Sequence, residues 1–381
     1  MRAKLAHVRS KNCVLPSYWP DIDQSIQCWI CWYFLESVSA RVSLKTNKKI
    51  SYIESNINVA RRLSEEKDFD VIVVGGGPGG LNTAIMCATR HLKVLLLERD
   101  KIGGLLATLY PNKIIPNYPG FPQGIVAIEL VRNWLQHLRF TGVTVKQEAV
   151  SDVAKDLTVT TEKKNYRSKV VVIATGTKPR RLKIPNESEF SKEDKGVYYF
   201  PSHPEEFLGS KVLVVGGGDT AIDAVLELLN LADEITLVHR REGFRAFDEN
   251  VEKIRKSGMV NFVLNGEVLA IKGRKRVEKA VIRQEGRKLE KIVDSVVIAI
   301  GIVPNSEVYK KLGLKTDEHG FILTDRAQRT NIKGIFALGD VTKVGLRLIT
   351  VAAAHGAIAS HYIYSYVKKP YWARESWDTQ I

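Results

Sequence analysis

Two glycine runs constrain this 381-residue chain more than any other feature: Gly75-Gly-Gly-Pro-Gly-Gly80 and Gly216-Gly-Gly-Asp-Thr-Ala221. Each follows a short apolar run rich in β-branched residues, "FDVIVV" before the first and "KVLVV" before the second. Each then opens a segment with helical spacing (81–90 after the first) and leads to a second apolar run, "KVLLLE" or "EITLVHRR". Strand, turn, helix, strand is a βαβ unit, and this chain carries it twice. In the first loop, Gly75 permits the tight turn and Gly77 lets a pyrophosphate approach the backbone. Gly80 lets helix and strand pack closely. The phosphates then meet the free N–H groups of the helix N-terminus.

The ends of the second strands differ. Glu98 closes the first unit, 23 residues after Gly75, where a carboxylate accepts from a ribose hydroxyl. The second unit, Gly216-x-Gly218-x-x-Ala221, closes on His239-Arg240-Arg241, with Arg245 four residues on. Guanidinium groups at that position suit a 2′-phosphate, so the second loop is expected to prefer NADPH to NADH. Two dinucleotide loops in one chain point to a bound flavin nucleotide beside a diffusible nicotinamide.

The remaining order fits one unit inserted into the other. Residues 143–173 read as a meander of strands ending in "VVVIATG"; strand-like runs fill 260–283, and "DSVVIAIG" follows. "GIFALGD" then leads into an apolar helix from about Thr350 to Val367. The expected fold class is α/β, with two Rossmann-like, three-layer dinucleotide-binding domains, the NADP domain inserted into the FAD domain. The boundaries fall at 67–179 and 295–368 for the FAD domain and 180–294 for the NADP domain. Residues 369–381 form a C-terminal tail. Residues 1–66 are polar and irregular apart from "CWICWYFL" and a weak helical stretch near 54–66. A genuine N-terminal extension and a mis-assigned start both fit them.

From about residue 68 to 368 the chain resembles the thioredoxin-reductase-like flavoproteins. The resemblance rests on GGGPGG, Gly103-Gly104, Ala174-Thr175-Gly176, GGGDTA, HRREGFRA and GIFALGD. Within that group it is nearest the ferredoxin/flavodoxin–NADP reductases, through "ATLYPNKIIPNYPGFP" at 107–122, "KGVYYF" at 195–200 and "LRLI" at 346–349. Asn117-Tyr118-Pro119-Gly120 and Ile349-Thr350 are similar to thioredoxin reductases instead, and Leu105 replaces the usual glutamine after the glycine pair. The resemblance implies FAD and NADP(H) as cofactors. It puts Gly104, Asn117, Gly339 and Asp340 in the FAD site, with Asp340 on the ribityl chain and Leu348 and Ile349 against the isoalloxazine ring. It puts Asp219 and Thr220 in the NADP site with His239 and the three arginines. It also implies a homodimer in which a C-terminal aromatic, Tyr371 or Trp372, covers the flavin.

Thioredoxin reductases carry a redox dithiol just before the second glycine loop, where this chain has Tyr198-Tyr-Phe-Pro-Ser202. Disulfide reduction needs a thiolate pair beside the flavin, because exchange proceeds by thiolate attack. Cys28-Trp-Ile-Cys31 has the spacing but sits in the leader, and Cys87 reads as a small buried hydrophobe. The reading that follows is hydride transfer from NADPH to FAD, then single electrons to an acidic carrier, ferredoxin or flavodoxin. No side chain is assigned as catalytic and none as a metal ligand. The rivals are a thioredoxin reductase using Cys28 and Cys31, and a non-catalytic flavin-binding redox sensor.

Charge agrees with an acidic partner: the formal net charge is +15, most of it after residue 66. The one basic cluster, Lys272-Gly-Arg-Lys-Arg276, lies between two strand-like runs without aromatic interleaving and reads as a hairpin tip, not a nucleic-acid site. Four cysteines in this length give no disulfide framework, so the expected compartment is the cytoplasm. The longest apolar run, Cys28 to Leu35, is too short to cross a bilayer.

Overall fold

A computed structural model describes residues 69–192 and 195–370. The leader with Cys28 and Cys31, and the tail aromatics Tyr371 and Trp372, lie outside the described residues.

Strand β1 (Phe69–Val74) is followed by helix α1 (Pro78–Ala88) and β2 (Val94–Glu98). The helix starts at Pro78, three residues before the periodicity predicts, because proline at the first helical position has its φ preset and needs no N–H partner. Helix α2 (Ala127–Arg139) leads to β3 (Thr144–Gln147), β4 (Val150–Val153), β5 (Thr158–Thr161) and β6 (Asn165–Ile173). The sheet order is β3-β2-β1-β6-β5-β4, and a late strand adds to β6. β1 is parallel to both neighbours, with Val73 paired to Leu96 and to Val172. Such a strand is buried on both faces, so it reads as a continuous apolar run. Val71 and Val73 enter the core under α1. Ile72 and Val74 enter the opposite one, with Tyr166 and Ile322.

The chain leaves this sheet through β7 (Thr177–Pro179). It then builds β8 (Val197–Tyr198), β9 (Lys211–Gly216), helix α3 (Asp219–Leu228), β10 (Glu234–His239) and β11 (Val260–Leu264). An antiparallel sheet follows, β12 (Gly266–Lys272), β13 (Lys279–Gln284) and β14 (Arg287–Ile292); the basic cluster lies in the β12–β13 connection. Strand β15 (Ser295–Ala299) completes a five-stranded parallel sheet in the order β8-β15-β9-β10-β11.

That last pairing corrects the sequence-based boundary. Residues 295–299 were expected in the FAD domain, but Val214 pairs with Val297 inside the second sheet. The return comes only at β16 (Ile302–Pro304), antiparallel to β7. Strand β17 (Ile335–Ala337) then joins β6, and helix α4 (Ile349–Lys368) is the last element among the described residues. Helices α1 and α4 meet backbone to backbone: a Cβ on Gly356 would lie 2.6 Å from the Gly79 carbonyl oxygen. Asn82 ties them further, its Nδ2 donating to the Ala353 carbonyl at 2.6 Å. The fold is thus α/β with two parallel-sheet, Rossmann-like regions, the second inserted into the first.

Candidate functional site

The C-terminal ends of β2, β1, β6 and β17 stand side by side, and a cleft runs across them. Ligands of open α/β sheets bind at this edge. At β1 the three glycines differ in what surrounds them. Gly75 has φ +108°, and a Cβ there would lie 2.3 Å from the Ala174 carbonyl oxygen. A Cβ on Gly80 would lie 2.0 Å from the Gly75 carbonyl oxygen. Gly77 faces open space, with nothing within 4 Å of where its Cβ would be. Two positions are closed by the protein's own backbone, and the third leaves open room for a ligand's close approach at the α1 N-terminus.

Glu98 stands at the end of β2 and lines the cleft. Its Oε2 accepts from the Gly76 N–H at 2.7 Å and its Oε1 from the Asp100 N–H at 2.9 Å. These bonds fix the carboxylate, and each oxygen keeps a lone pair for a hydroxyl. Gly104 lies over the loop: a Cβ on it would be 3.1 Å from Gly77 Cα. The Gly103 N–H donates to the Gly76 carbonyl at 2.8 Å, so the two glycine pairs are locked together.

At the other end, β17 runs into a single 3₁₀ turn, Gly339–Val341, which carries Asp340 into the cleft. Among the described residues its carboxylate accepts no hydrogen bond. Burial raises its pKa, and Arg347 only partly opposes this. An acceptor held there suits hydroxyl donors from a bound molecule. The Gly339 N–H donates to His355 Nδ1 at 3.4 Å, and burial lowers the His355 pKa, which suits that accepting nitrogen. Leu348 and Ile349 line the cleft where α4 begins. Two helix N-termini, of α1 and α4, therefore converge on one cleft and give it positive potential. Asn117, in contrast, is exposed and does not line the cleft.

Sequence reasoning missed Tyr110 and Asn305 as site residues, both in the cleft wall, and had Arg347 there only within LRLI. Burial first, then Asp223, Asp340 and Glu227, push Tyr110 up to about 12, so the phenol stays protonated. Its ring meets buried Phe200 edge-on at 4.6 Å. Ser202 Oγ donates to the Leu109 carbonyl at 2.6 Å, fastening residues 200–202 beside the cleft. Asn305 Nδ2 donates to the Thr175 carbonyl at 2.7 Å and holds the turn after β6. Neither Tyr110 nor Asn305 stands in a glycine motif, so only the folded chain brings them in.

The second loop repeats the steric pattern. A Cβ on Gly216 would lie 2.2 Å from the Ala299 carbonyl oxygen, whereas Gly218 faces open space. Residues 239–247 wrap around this loop. The Arg245 N–H donates to the Gly217 carbonyl at 2.7 Å, and the Phe247 N–H to Asp219 Oδ1 at 3.1 Å. Arg240, Arg241, Arg245 and Thr220 are exposed beside it. His239 differs from the arginines in position. Its ring is buried behind Gly217, stacks on Phe244 at 5.3 Å and sets Nε2 3.1 Å from the Gly243 carbonyl oxygen. Burial, with the three nearby arginines, lowers its pKa. It supports the loop from within.

Over residues 69–356 the chain matches the family described as pyridine nucleotide-disulphide oxidoreductase. It is 38% identical over 316 residues to a ferredoxin–NADP reductase of Ignicoccus hospitalis, covering 80% of this chain and 99% of that one. It is 36% identical over 313 residues to a thioredoxin reductase of Listeria innocua, covering 80% and 96%. The fold is similar to that of Lactococcus lactis thioredoxin reductase, with a TM-score of 0.73 at 34% identity, over 80% of this chain and all of that one. A side-chain-free Gly77 and Gly218 leave room for a pyrophosphate at both loops, so the residues fit the family's cofactors, and the chain belongs to the pyridine nucleotide-disulphide oxidoreductases as an oxidoreductase working with FAD and NADP(H).

Proposed function

We propose that this protein passes electrons between NADP(H) and an acidic one-electron carrier, ferredoxin or flavodoxin, as a homodimer in the cytoplasm. The observation that carries the reading is what stands at residues 198–203. Phe200 is buried there against Tyr110 of the cleft wall, and no cysteine lies in the segment. Cys87 is the one cysteine among the described residues. It is fully buried, and burial pushes its thiol up to about 12, so it supplies no thiolate. Ferredoxin–NADP reductases of 38% and 36% identity support the same branch.

Bound FAD supplies a hydride acceptor toward NADPH and a one-electron outlet toward the carrier. The protein's own residues bind and orient. Gly77, with the α1 N-terminus, takes the pyrophosphate; Glu98 accepts from the adenosine ribose, and Asp340 from the ribityl hydroxyls. Leu348 and Ile349 at the α4 N-terminus would lie against the ring, and Tyr110, packed on Phe200, would wall the same cleft. Gly218 and the α3 N-terminus take the NADP pyrophosphate, and Arg240, Arg241 and Arg245 its 2′-phosphate. The domains are the first sheet with α1, α2 and α4, and the inserted region between β7 and β16.

The second reading is a thioredoxin reductase, favoured by relatives of that name at 36% identity. It needs Cys28 and Cys31 or a partner's thiols. Steady-state assays with NADPH and either ferredoxin or thioredoxin, run on full-length protein and on a chain starting at residue 63, separate the two. Ferredoxin reduction unchanged by the truncation supports our reading; disulfide reduction lost on truncation supports the other.

A further inference from the structure

Residues 343–348, between the 3₁₀ turn and α4, form a loop at the edge of the cleft. Leu346 is 64% exposed and Leu348 41%. Arg347, Leu348 and Ile349 also line the cleft next to Asp340, so the apolar patch and that end of the cleft share one surface. Its base is firmly held. Thr342 Oγ1 donates to the Gly339 carbonyl at 2.7 Å, and the Lys343 N–H to the Ile322 carbonyl at 2.9 Å.

The exposed charges on this surface are basic. Lys343 is exposed, and Arg347 lies over the Phe321 ring at 4.5 Å. Neither has a carboxylate in ion-pair distance among the described residues. Asp317, on the turn before Phe321, spends Oδ1 on the N–H groups of His319 and Phe321. Lys113, behind Tyr110, is by contrast already paired with Asp223 at 3.2 Å.

We propose that loop 343–348 is the docking face for the acidic one-electron carrier, an inference that rests on the function proposed above. Leu346, outside the cleft lining, gives the apolar contact that slows dissociation, and Lys343 with Arg347 steers an acidic partner onto it. A carrier seated on Leu346 abuts the cleft end at Leu348. Each NADPH gives up two electrons, so two carriers are reduced in successive dockings, with NADP⁺ and one proton released.

Lys343→Glu and Leu346→Ser are the test variants; neither residue lines the cleft. Holoprotein is assayed with NADPH and either an acidic ferredoxin or a small neutral quinone, which needs no docking face. We expect KM for ferredoxin to rise about tenfold in each variant with quinone turnover unchanged, and the Lys343→Glu deficit to shrink at high salt. An unchanged KM for ferredoxin in both variants overturns the proposal. So does a parallel fall in both activities, which makes the loop part of the cofactor site. A change in sedimentation without a change in KM makes it a contact between copies of this chain. No ferredoxin turnover by wild-type protein refutes the function itself, whatever the variants do.

Discussion

Arg240→Ala tests the proposal that Arg240 tells NADPH from NADH. Arg240 is the first residue beyond β10, exposed, on a segment pinned to the second glycine loop by the Arg245 N–H and the Phe247 N–H. A charge-assisted hydrogen bond contributes roughly 1.5–3 kcal/mol. At about 1.4 kcal/mol per tenfold, its loss weakens NADPH use by on the order of 10- to 150-fold. Exposure places the effect at the lower end. Screening acts over about 8 Å at 0.15 M salt, and the neighbouring guanidinium groups of Arg241 and Arg245 remain. The expected result is a roughly tenfold higher half-saturation for NADPH with that for NADH nearly unchanged. Rapid-mixing measurement of cofactor bleaching without an acceptor gives it directly. Equal losses for both nicotinamides would mean that Arg240 supports the fold, and an unaltered preference for NADPH would remove it from the site.

Four further outcomes are expected. Gly80→Ala should prevent folding, since its Cβ would meet the Gly75 carbonyl oxygen at 2.0 Å. Gly77→Ala should instead give a folded, colourless protein, and circular dichroism with flavin absorbance separates the two; a yellow Gly77→Ala protein would place the pyrophosphate elsewhere. Ferredoxin reduction should slow as salt rises from about 0.01 to 0.5 M, because the Debye length contracts over that range; a rate indifferent to salt contradicts electrostatic docking. Changing Cys28 and Cys31 together to serine should leave NADPH-to-ferredoxin transfer intact, and loss of turnover with FAD still bound would make that pair a relay.

Both glycine loops were legible in the sequence because their constraint is local. Backbone closes on Gly75, Gly80 and Gly216, and only a residue without a side chain fits. The buried strands were legible for a related reason, since parallel strands covered on both faces must be apolar throughout. That same uniformity hid which sheet Ser295–Ala299 joins. An apolar run of five residues fits either one, and only its pairing with Lys211–Gly216 decides. The inward direction of the His239 ring was not legible, because a motif gives position along the chain and not the direction of a ring. Stacking on Phe244 and the bare surface of Gly217 draw it inward. Tyr110 and Asn305 reach the cleft from separate stretches of chain, and no spacing rule links them to Gly75 or Asp340.

The central claim is that electrons leave this protein singly, with no dithiol between cofactor and acceptor. Its most direct test is to reduce the full-length protein anaerobically with one equivalent of NADPH, then mix it in turn with ferredoxin, flavodoxin and oxidised thioredoxin. Rapid reoxidation by ferredoxin or flavodoxin is expected, and none by thioredoxin. Reoxidation by thioredoxin, with ferredoxin and flavodoxin left oxidised, would contradict it.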